Sequence, residues 1–333
     1  MNAPTLADLR ASILDTTAFT TLADYIKIGY VFLKYVEQTA PTRIISPTIT
    51  HYIFFQYGSN DAYKITRPLN SNLFFESSET FQQACGRFLD FLLDLKRYQQ
   101  NVASQSSRAA YIDSNEINKV IYTVQQAIGS ISDSFDNPNQ ARKRVGQLFE
   151  NLIRLIIEEI GLVCEPRQIK IPIPGFPGYN MPYELDVVFS RNKAILSSDK
   201  PELVASQITY IHQDEVVGSI KTTSKDRIDK IFLDKYLLTK LLGRDISVIA
   251  VFLHDVQRSQ VKANTRLNRG SSIFGINSTF KTNHFLGYTV ALNKLDGVYY
   301  VDPRPEMTAN ERLREQIRYF QRFLTHDLWT LSS

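Results

Sequence analysis

The sequence predicts an α/β fold in which helices flank a mixed central sheet, with a helix-rich N-terminal region before it. Two observations support this prediction. From residue 115 onward, helix-like and strand-like segments alternate, and the β-branched run Ile246 to His254 is typical of a buried central strand. Before residue 100, apolar residues recur mainly at the three- and four-residue spacing of amphipathic helices.

The first hundred residues are predicted to be mostly helical. Helices are expected at about 22–36 and 79–96, with one aromatic, strand-like segment, HYIFFQY, at 51–57. The Ser-rich segment 101–115 is small and polar, which is typical of a linker or an exposed loop. We therefore predict two parts, an N-terminal region over residues 1–105 and an α/β domain over residues 106–333.

The second part contains the predicted sheet. Two helices, at about 115–130 and 139–160, are followed by a Pro- and Gly-rich loop over 169–183 with an extended lead-in. The remaining elements are expected as strands at 184–189, 206–211 and 215–222, a helix at 226–242 ending at Gly243, a strand at 246–254, strands near 285–292 and 297–301, and a helix at 310–324. This order indicates helices layered on a mixed sheet.

Composition rules out several classes of protein. Apolar residues make up 43% of the chain and charged residues 22%, which is ordinary for a globular protein with a sizeable core. No apolar run is long enough to span a membrane, and the first ten residues do not have the pattern of a signal peptide. The two cysteines, Cys85 and Cys164, are too few for a disulfide framework or a zinc site, so we expect a reduced, cytoplasmic protein.

Phosphate-loop patterns such as GxxxxGK and GxGxxG are absent, and the five histidines lack ligand spacing. These absences disfavour a nucleotide-processing α/β enzyme and a zinc enzyme.

Positive charge is concentrated in one segment, although the net charge is only +4. Residues 256–295 contain no Asp or Glu and carry six basic residues: Arg258, Lys262, Arg266, Arg269, Lys281 and Lys294. A basic segment without acids attracts phosphate groups. The alternative is a solvated loop whose charge has no function.

Three positions have the residue types of a carboxylate metal centre. Asp186 lies within the apolar strand segment ELDVVF, where a carboxylate is costly unless it is paired or bound to a metal. Ser219 and Lys221 share one face of the next strand segment, EVVGSIK. Asp234 follows Lys221 by thirteen residues and lies on a helical stripe with Ile231, Leu238 and Leu241.

Each position also has a simpler interpretation. Asp186 could face solvent at a strand edge, and Lys221 could be a surface lysine at a strand end. Asp234 could form a salt bridge with Lys230 or Arg227 at the edge of its stripe.

Together, these residues resemble the PD-(D/E)xK nucleases, in which an Asp on one strand and an acid-x-Lys on the next form the metal site. Here Ser219 stands at the acid position. The chain is similar in this respect to a subgroup of type II restriction endonucleases that cut CCGG- or CCNGG-cored sites. That subgroup has a small residue at this position and its second acid on the following helix, usually a Glu, where this chain has Asp234. The resemblance covers about residues 140–255.

The resemblance extends to two further features. Glu150, on the helix before the first strand of the motif, matches an acid that supports the metal in many PD-(D/E)xK enzymes, although it could be a surface residue. The triplet Lys225, Asp226 and Arg227 matches one with which the subgroup reads C·G pairs, with Lys in place of its usual first Arg. The alternative is a helix cap formed by Ser224 or Asp226.

The resemblance implies a function and its partners. Asp186 and Asp234, with Glu150 in support, would hold Mg²⁺, Lys221 would act on the attacking water, and Ser219 would lie between them. The substrate would be double-stranded DNA cut at a palindromic site by a homodimer, or by a tetramer. Arg258, Lys262, Arg266 and Arg269 would contact phosphates or bases, and the N-terminal region could add DNA or dimer contacts. The alternatives are a structure-specific or repair nuclease and a DNA-binding module with a degenerate site.

Overall fold

The computed structural model describes residues 4–58, 64–97, 115–192, 210–225, 227–262 and 271–332. They form two compact units that interleave along the chain. The first unit consists of the described parts of Met1–Asp90, Asp113–Phe149 and Asp255–Thr279, and the second of those of Phe91–Ile112, Glu150–His254 and Phe280–Ser333. The sequence alone suggested one division, after residue 105.

The elements are numbered here in chain order. The helices are α1 (Leu6–Leu14), α2 (Leu22–Thr39), α3 (Ser78–Arg97), α4 (Glu116–Ser132), α5 (Pro138–Glu159), α6 (Ile228–Leu242), α7 (Thr282–Ala291), α8 (Pro305–Ala309), α9 (Glu311–Arg314), α10 (Phe320–Arg322) and α11 (Leu328–Leu331), with a π-helical turn at Phe323–Asp327. The strands are β1 (Thr42–Ile45), β2 (Tyr52–Gln56), β3 (Leu69–Asn70), β4 (Val163–Pro172), β5 (Asn180–Ser190), β6 (Val216–Thr223), β7 (Val248–His254), β8 (Val256–Lys262), β9 (Ser271–Ser278), β10 (Gly297–Asp302) and β11 (Ile317–Tyr319).

Helices of the first unit pack around α4, most of whose residues are buried. Helices α1 and α2 both begin with a capping box, in which Thr5 pairs with Asp8 and Thr21 with Asp24. The α2 helix packs on α4, and the buried hydroxyl of Tyr25 donates to the carbonyl of Leu148 at 2.9 Å. This part therefore contains the amphipathic helices that the sequence predicts.

Two small sheets complete the first unit. Strands β1, β2 and β3 form an antiparallel sheet, and β8 and β9 form a hairpin. Tyr52 and Phe54 of β2 share a core cluster with Val256 and Ile276 of the hairpin, and the amide of Ile276 donates to Thr48 Oγ1 at 2.9 Å. The described part of the basic segment thus begins as a hairpin, which the sequence did not reveal.

The second unit is built on a six-stranded mixed sheet in the order β11-β10-β7-β6-β5-β4. Strands β11, β10, β7 and β6 run parallel, whereas β5 is antiparallel to both β6 and β4. All residues of β7 are buried, which confirms the central strand predicted from its β-branched run. The α6 helix connects β6 to β7 and ends at Gly243, whose φ of 67° is the left-handed conformation of a C-terminal cap.

The loop predicted over 169–183 is shorter than expected, and its extended lead-in is the end of a strand. Strands β4 and β5 extend into it, and only residues 173–179 form the turn between them. Ile169 and Ile171 are buried, whereas Gln168 and Lys170 are exposed, which is the two-residue alternation of a strand. The prolines and glycines of segment 169–183 had obscured this alternation of buried and exposed residues.

Two further predictions near the C-terminus are wrong. The expected strand near 285–292 lies in helix α7, whose Phe285 packs edge-on against Phe232 of α6 with ring centroids 5.6 Å apart. The expected helix over 310–324 is interrupted by β11, which pairs in parallel with β10 through Ile317 and Val298. In both places tertiary packing outweighs local propensity. Most of the expected strand at 206–211 lies outside the described residues.

Within the ranges described above, no helix is long and apolar enough to cross a membrane. Cys85 and Cys164 are buried free thiols. Burial raises the pKa of Cys85 to about 12 and that of Cys164 well above its ordinary value.

Candidate active site

The candidate site begins where the ladder between β5 and β6 ends. The ladder pairs Val187 with Gly218, and beyond that pair Asp186 precedes Val187 while Ser219 follows Gly218. Oδ2 of Asp186 accepts hydrogen bonds from the amide of Ile220 at 2.8 Å and from Ser219 Oγ at 3.3 Å. The carboxylate of Asp186 therefore bonds directly to the neighbouring strand.

Gly218 leaves room at this point for the side chain of Val187 on the neighbouring strand. A Cβ atom added to Gly218 would lie 2.6 Å from Cγ2 of Val187, which is shorter than a van der Waals contact. A glycine within a strand often marks a place where a neighbouring group approaches closely. Gly218 is thus a site residue that the sequence analysis missed, although its place in the apolar run VVGSI was a usable signal.

Lys221 joins two carboxylates from different elements. Its Nζ donates to Asp186 Oδ2 at 2.6 Å and to Glu150 Oε1 at 3.1 Å. Glu150 comes from α5, and the side chains of Asp186, Lys221 and Glu150 are 15%, 28% and 30% exposed. The structure therefore gathers Asp186, Ser219, Lys221 and Glu150, which the sequence analysis had singled out, into one partly buried cluster.

The charges of this cluster perturb its ionisation. Burial lowers the pKa of Lys221, but the opposing effects of Asp186 and Glu150 outweigh it, so the pKa is raised above the ordinary lysine value. Burial raises the pKa of Glu150, and the negative charge of Asp186 raises it further, against the opposite effect of Lys221. Lys221 is consequently a firmly charged ammonium group held between two acids.

Asp234 lies on α6, close enough to the cluster to interact with it electrostatically. Its half-buried side chain accepts no hydrogen bond from the described residues, and no ion pair with Lys230 or Arg227 forms there. Burial raises its pKa, Lys230 lowers it, and Asp186 raises it again. Burial also raises the pKa of Tyr183 to about 12, and the charge of Asp234 adds to the shift. Asp234 is therefore an acid in an unfavourable environment.

The donor set fits a hard divalent cation in its chemistry. Glu150, Asp186 and Asp234 offer only carboxylate oxygens, and Asp186 Oδ1 and Glu150 Oε2 receive no hydrogen bond from the described part of the chain. The described residues contain no preassembled group of three or more His, Cys, Asp or Glu ligands. Mg²⁺ does not require one, because it is usually held by one or two carboxylates together with water and substrate phosphate.

The proposed base-reading triplet lies directly before α6. Lys225 and Arg227 are exposed, and Asp226 lies outside the described residues. Arg227 stands at the N-cap position without a side-chain capping bond, and the buried Oγ of Ser224 has no hydrogen-bond partner among the described residues. Capping of α6 by Ser224 is therefore not observed.

The basic residues after Asp255 are divided between the two units, with Arg258 and Lys262 in the first and Lys281 and Lys294 in the second. Arg258 is exposed on β8, and Lys262 ends that strand. Arg266 and Arg269 lie outside the described residues.

Comparison with known proteins identifies the fold. No protein-family model matches the chain, and no curated protein matches it. The solved structure of the type IIP restriction endonuclease Kpn2I matches over 98% of this chain and 97% of its own, with a TM-score of 0.63 and 16% sequence identity. The chain has the fold of this restriction endonuclease. This result confirms the predicted fold, a mixed central sheet flanked by helices.

A second match is weaker. The restriction endonuclease PspGI, solved with its substrate DNA, matches over 76% of this chain and 92% of its own, at a TM-score of 0.36 and 15% identity. A score this low adds nothing about the fold. At 16% identity the likeness to Kpn2I concerns the fold alone, so any activity has to be argued from the side chains.

Proposed function

We propose that the protein is a Mg²⁺-dependent endonuclease that cleaves double-stranded DNA at a short palindromic site, in the manner of a type II restriction endonuclease. One observation carries the proposal. In a restriction-endonuclease fold, Nζ of Lys221, a residue of the central sheet, contacts both Asp186 and Glu150. Phosphodiester hydrolysis requires both an anionic metal site and a cation beside the reacting phosphate. This cluster contains the residues for both.

The roles follow from the contacts. Asp186 and Asp234 would hold Mg²⁺, with Glu150 in support, and the bound ion would polarise the phosphate and acidify its water. Lys221 orients the attacking water and offsets the negative charge that develops on the phosphate. Ser219 donates to Asp186 and so helps to fix the orientation of that carboxylate.

Recognition of the substrate is assigned to the triplet before α6 and to the basic residues after Asp255. Lys225 and Arg227 can donate to guanine O6 and N7, and Asp226 can accept from cytosine N4, which suits the C·G pairs of a CCGG- or CCNGG-cored site. The positions Arg258, Lys262, Arg266 and Arg269 are assigned to phosphate contacts. A palindromic substrate calls for a two-fold symmetric enzyme, a homodimer or a tetramer built from dimers.

Cleavage of unmethylated DNA tests this function against its alternatives. The purified chain is incubated with several plasmid and phage DNAs, with Mg²⁺ or with EDTA, and the fragment ends are sequenced. Discrete fragments that share one end sequence and require Mg²⁺ are expected. Cutting restricted to branched or damaged substrates would instead indicate a structure-specific nuclease. Binding without cleavage would indicate a degenerate DNA-binding module.

A further inference from the structure

The first unit contains a cavity of about 340 Å³ whose lining is rich in arginine. Arg67, Arg142 and Arg258 line it, together with Asp133, Ser132 and apolar side chains. These residues come from segments far apart in the sequence, namely the loop before β3, the end of α4, the first turns of α5, and β8. The volume is that of a small ligand site.

Only part of this positive charge is neutralised. Asp133 accepts from Arg67 through Nε at 3.1 Å, Nη2 at 3.0 Å and the backbone amide at 2.6 Å. Arg142 and Arg258 are both exposed, and neither forms an ion pair with a described residue. The lining therefore presents two guanidinium groups to a ligand, beside an internal Arg67–Asp133 pair.

Ser132 also lines this cavity. The residue is 1% exposed, and its buried Oγ has no hydrogen-bond partner in the described structure. Leaving a buried polar group unpaired is destabilising, so such groups usually have a ligand or water partner.

The backbone at the start of α5 supplies no donor of its own. Pro138 has no N–H, and Asn137 Oδ1 already accepts from the amides of Asn139 and Gln140 at 3.0 and 3.2 Å. An anion in this cavity would therefore be bound by side chains and not by the N-terminus of α5.

We propose that this cavity binds a phosphate group, with Arg142 and Arg258 as the cationic donors and Ser132 as the hydroxyl donor. Arginine suits this role because its planar guanidinium group donates two parallel hydrogen bonds to phosphate oxygens. The phosphate is either a backbone phosphate of DNA, a source that rests on the proposed function, or that of a free small molecule. In both cases the same three side chains bind it.

The test measures binding of both phosphate sources to the full chain in EDTA. Anisotropy of a labelled duplex is recorded over a range of salt concentrations, and inorganic phosphate and a nucleoside monophosphate are titrated by calorimetry. The variants are Ser132→Ala and the double variant Arg142→Gln/Arg258→Gln. The matched control is Lys143→Gln, which removes a neighbouring exposed positive charge that does not line the cavity.

If DNA is the source, the double variant should lower the salt slope of duplex binding by about one, as loss of one phosphate contact requires. Ser132→Ala should weaken binding about tenfold without lowering the melting temperature, because its Oγ has no partner to lose. Lys143→Gln should leave the slope unchanged. If a small molecule is the source, both cavity variants should abolish the calorimetric binding, and Ser132→Ala should leave duplex binding intact.

Equal binding of every ligand by the wild type and both cavity variants would overturn the proposal. Cleavage in Mg²⁺ is recorded separately for each protein. Cleavage by the wild type, together with unchanged binding of every ligand by both cavity variants, would overturn this inference alone. Absence of cleavage would overturn the proposed function, and the phosphate titration would still decide the role of the cavity.

Discussion

Lys221 Nζ lies 2.6 Å from Asp186 Oδ2, although the two residues belong to different strands of the sheet. The same oxygen also accepts a hydrogen bond from the backbone amide of Ile220. The side chain of Asp186 thus acts as the acceptor for a β6 amide where the ladder between β5 and β6 ends. The position of this carboxylate is thus determined by strand pairing.

Replacing Gly218 should damage the site through its neighbour Val187. In Gly218→Ala the new Cβ would meet Val187 Cγ2 at 2.6 Å, so Val187 has to move, and we expect the adjacent Asp186 to move with it. We expect a loss of about 1–3 kcal/mol in the free energy of unfolding, measured by denaturant titration, and a loss of cleavage beyond that explained by unfolded protein. The matched control is Gly146→Ala in α5, where nothing lies within 4 Å of the new atom and helix propensity favours Ala. A fully active, fully stable Gly218→Ala protein would contradict this account.

Replacing Asp234 should separate activity from stability. The folded chain raises the pKa of Asp234, so its ionisation opposes folding once the pH exceeds that raised value. Asp234→Asn should therefore increase the free energy of unfolding at neutral pH and leave it unchanged at acidic pH, where the carboxyl is protonated in both states. Cleavage should fall by about a hundredfold or more.

Asp229→Asn is the control for this prediction, because Asp229 is exposed on the same helix. It should retain cleavage. An Asp234→Asn protein that cleaves normally would remove Asp234 from the site.

Mg²⁺ should stabilise the folded chain. A ligand at a hundred times its dissociation constant adds about 2.7 kcal/mol to the free energy of unfolding. Differential scanning calorimetry should thus show a melting temperature that rises with Mg²⁺ in the wild type. The rise should be much smaller in Asp186→Asn/Asp234→Asn, which lacks both proposed ligands. Equal rises in the melting temperature of the two proteins would show that Mg²⁺ binds at a site other than Asp186 and Asp234.

A buried ion pair supports the same sheet away from the site. Arg167 on β4 donates to both oxygens of Glu215 at 2.6 Å and to Glu165 at 2.8 Å, and the side chains of Glu215 and Glu165 are 3% and 22% exposed. Glu215→Gln should lower the free energy of unfolding by about 3–5 kcal/mol, because it leaves a buried guanidinium group without its main counter-charge. Glu165→Gln, on the more exposed partner, should cost clearly less in the same denaturant titration. A larger loss of stability in Glu165→Gln than in Glu215→Gln would show that the Arg167–Glu215 pair is not what holds β4 in place.

Much of the candidate cluster could be predicted from the sequence because its signals are local. Ser219 and Lys221 share a strand face by two-residue alternation, and Asp234 shares a helical stripe with Ile231 and Leu238. Each inference required only the periodicity of one element. The pairing of Lys221 with both Asp186 and Glu150 depends on the tertiary structure. It could not be inferred from the spacing of the residues.

The wrong predictions and the missed residues lie where the structure depends on contacts between segments far apart in the sequence. Strand β11 exists because Ile317 pairs with Val298 of β10, and no local pattern in 310–324 signals that partner. Gly218 was missed because its role depends on Val187, which lies in another strand. The arginine cavity was missed for the same reason, since Arg142 and Arg258 meet only in the folded first unit.

The most direct test of the account compares Mg²⁺-dependent DNA cleavage by the wild type, Lys221→Ala and Lys240→Ala. Lys240 is an exposed lysine on α6 that contacts neither Asp186 nor Glu150 by hydrogen bond, so its loss removes the same charge from outside the cluster. Thermal unfolding confirms that each protein is folded. We predict discrete cleavage by the wild type and by Lys240→Ala, and none by Lys221→Ala. Undiminished cleavage by a folded Lys221→Ala protein would contradict the assignment of this cluster as the catalytic centre.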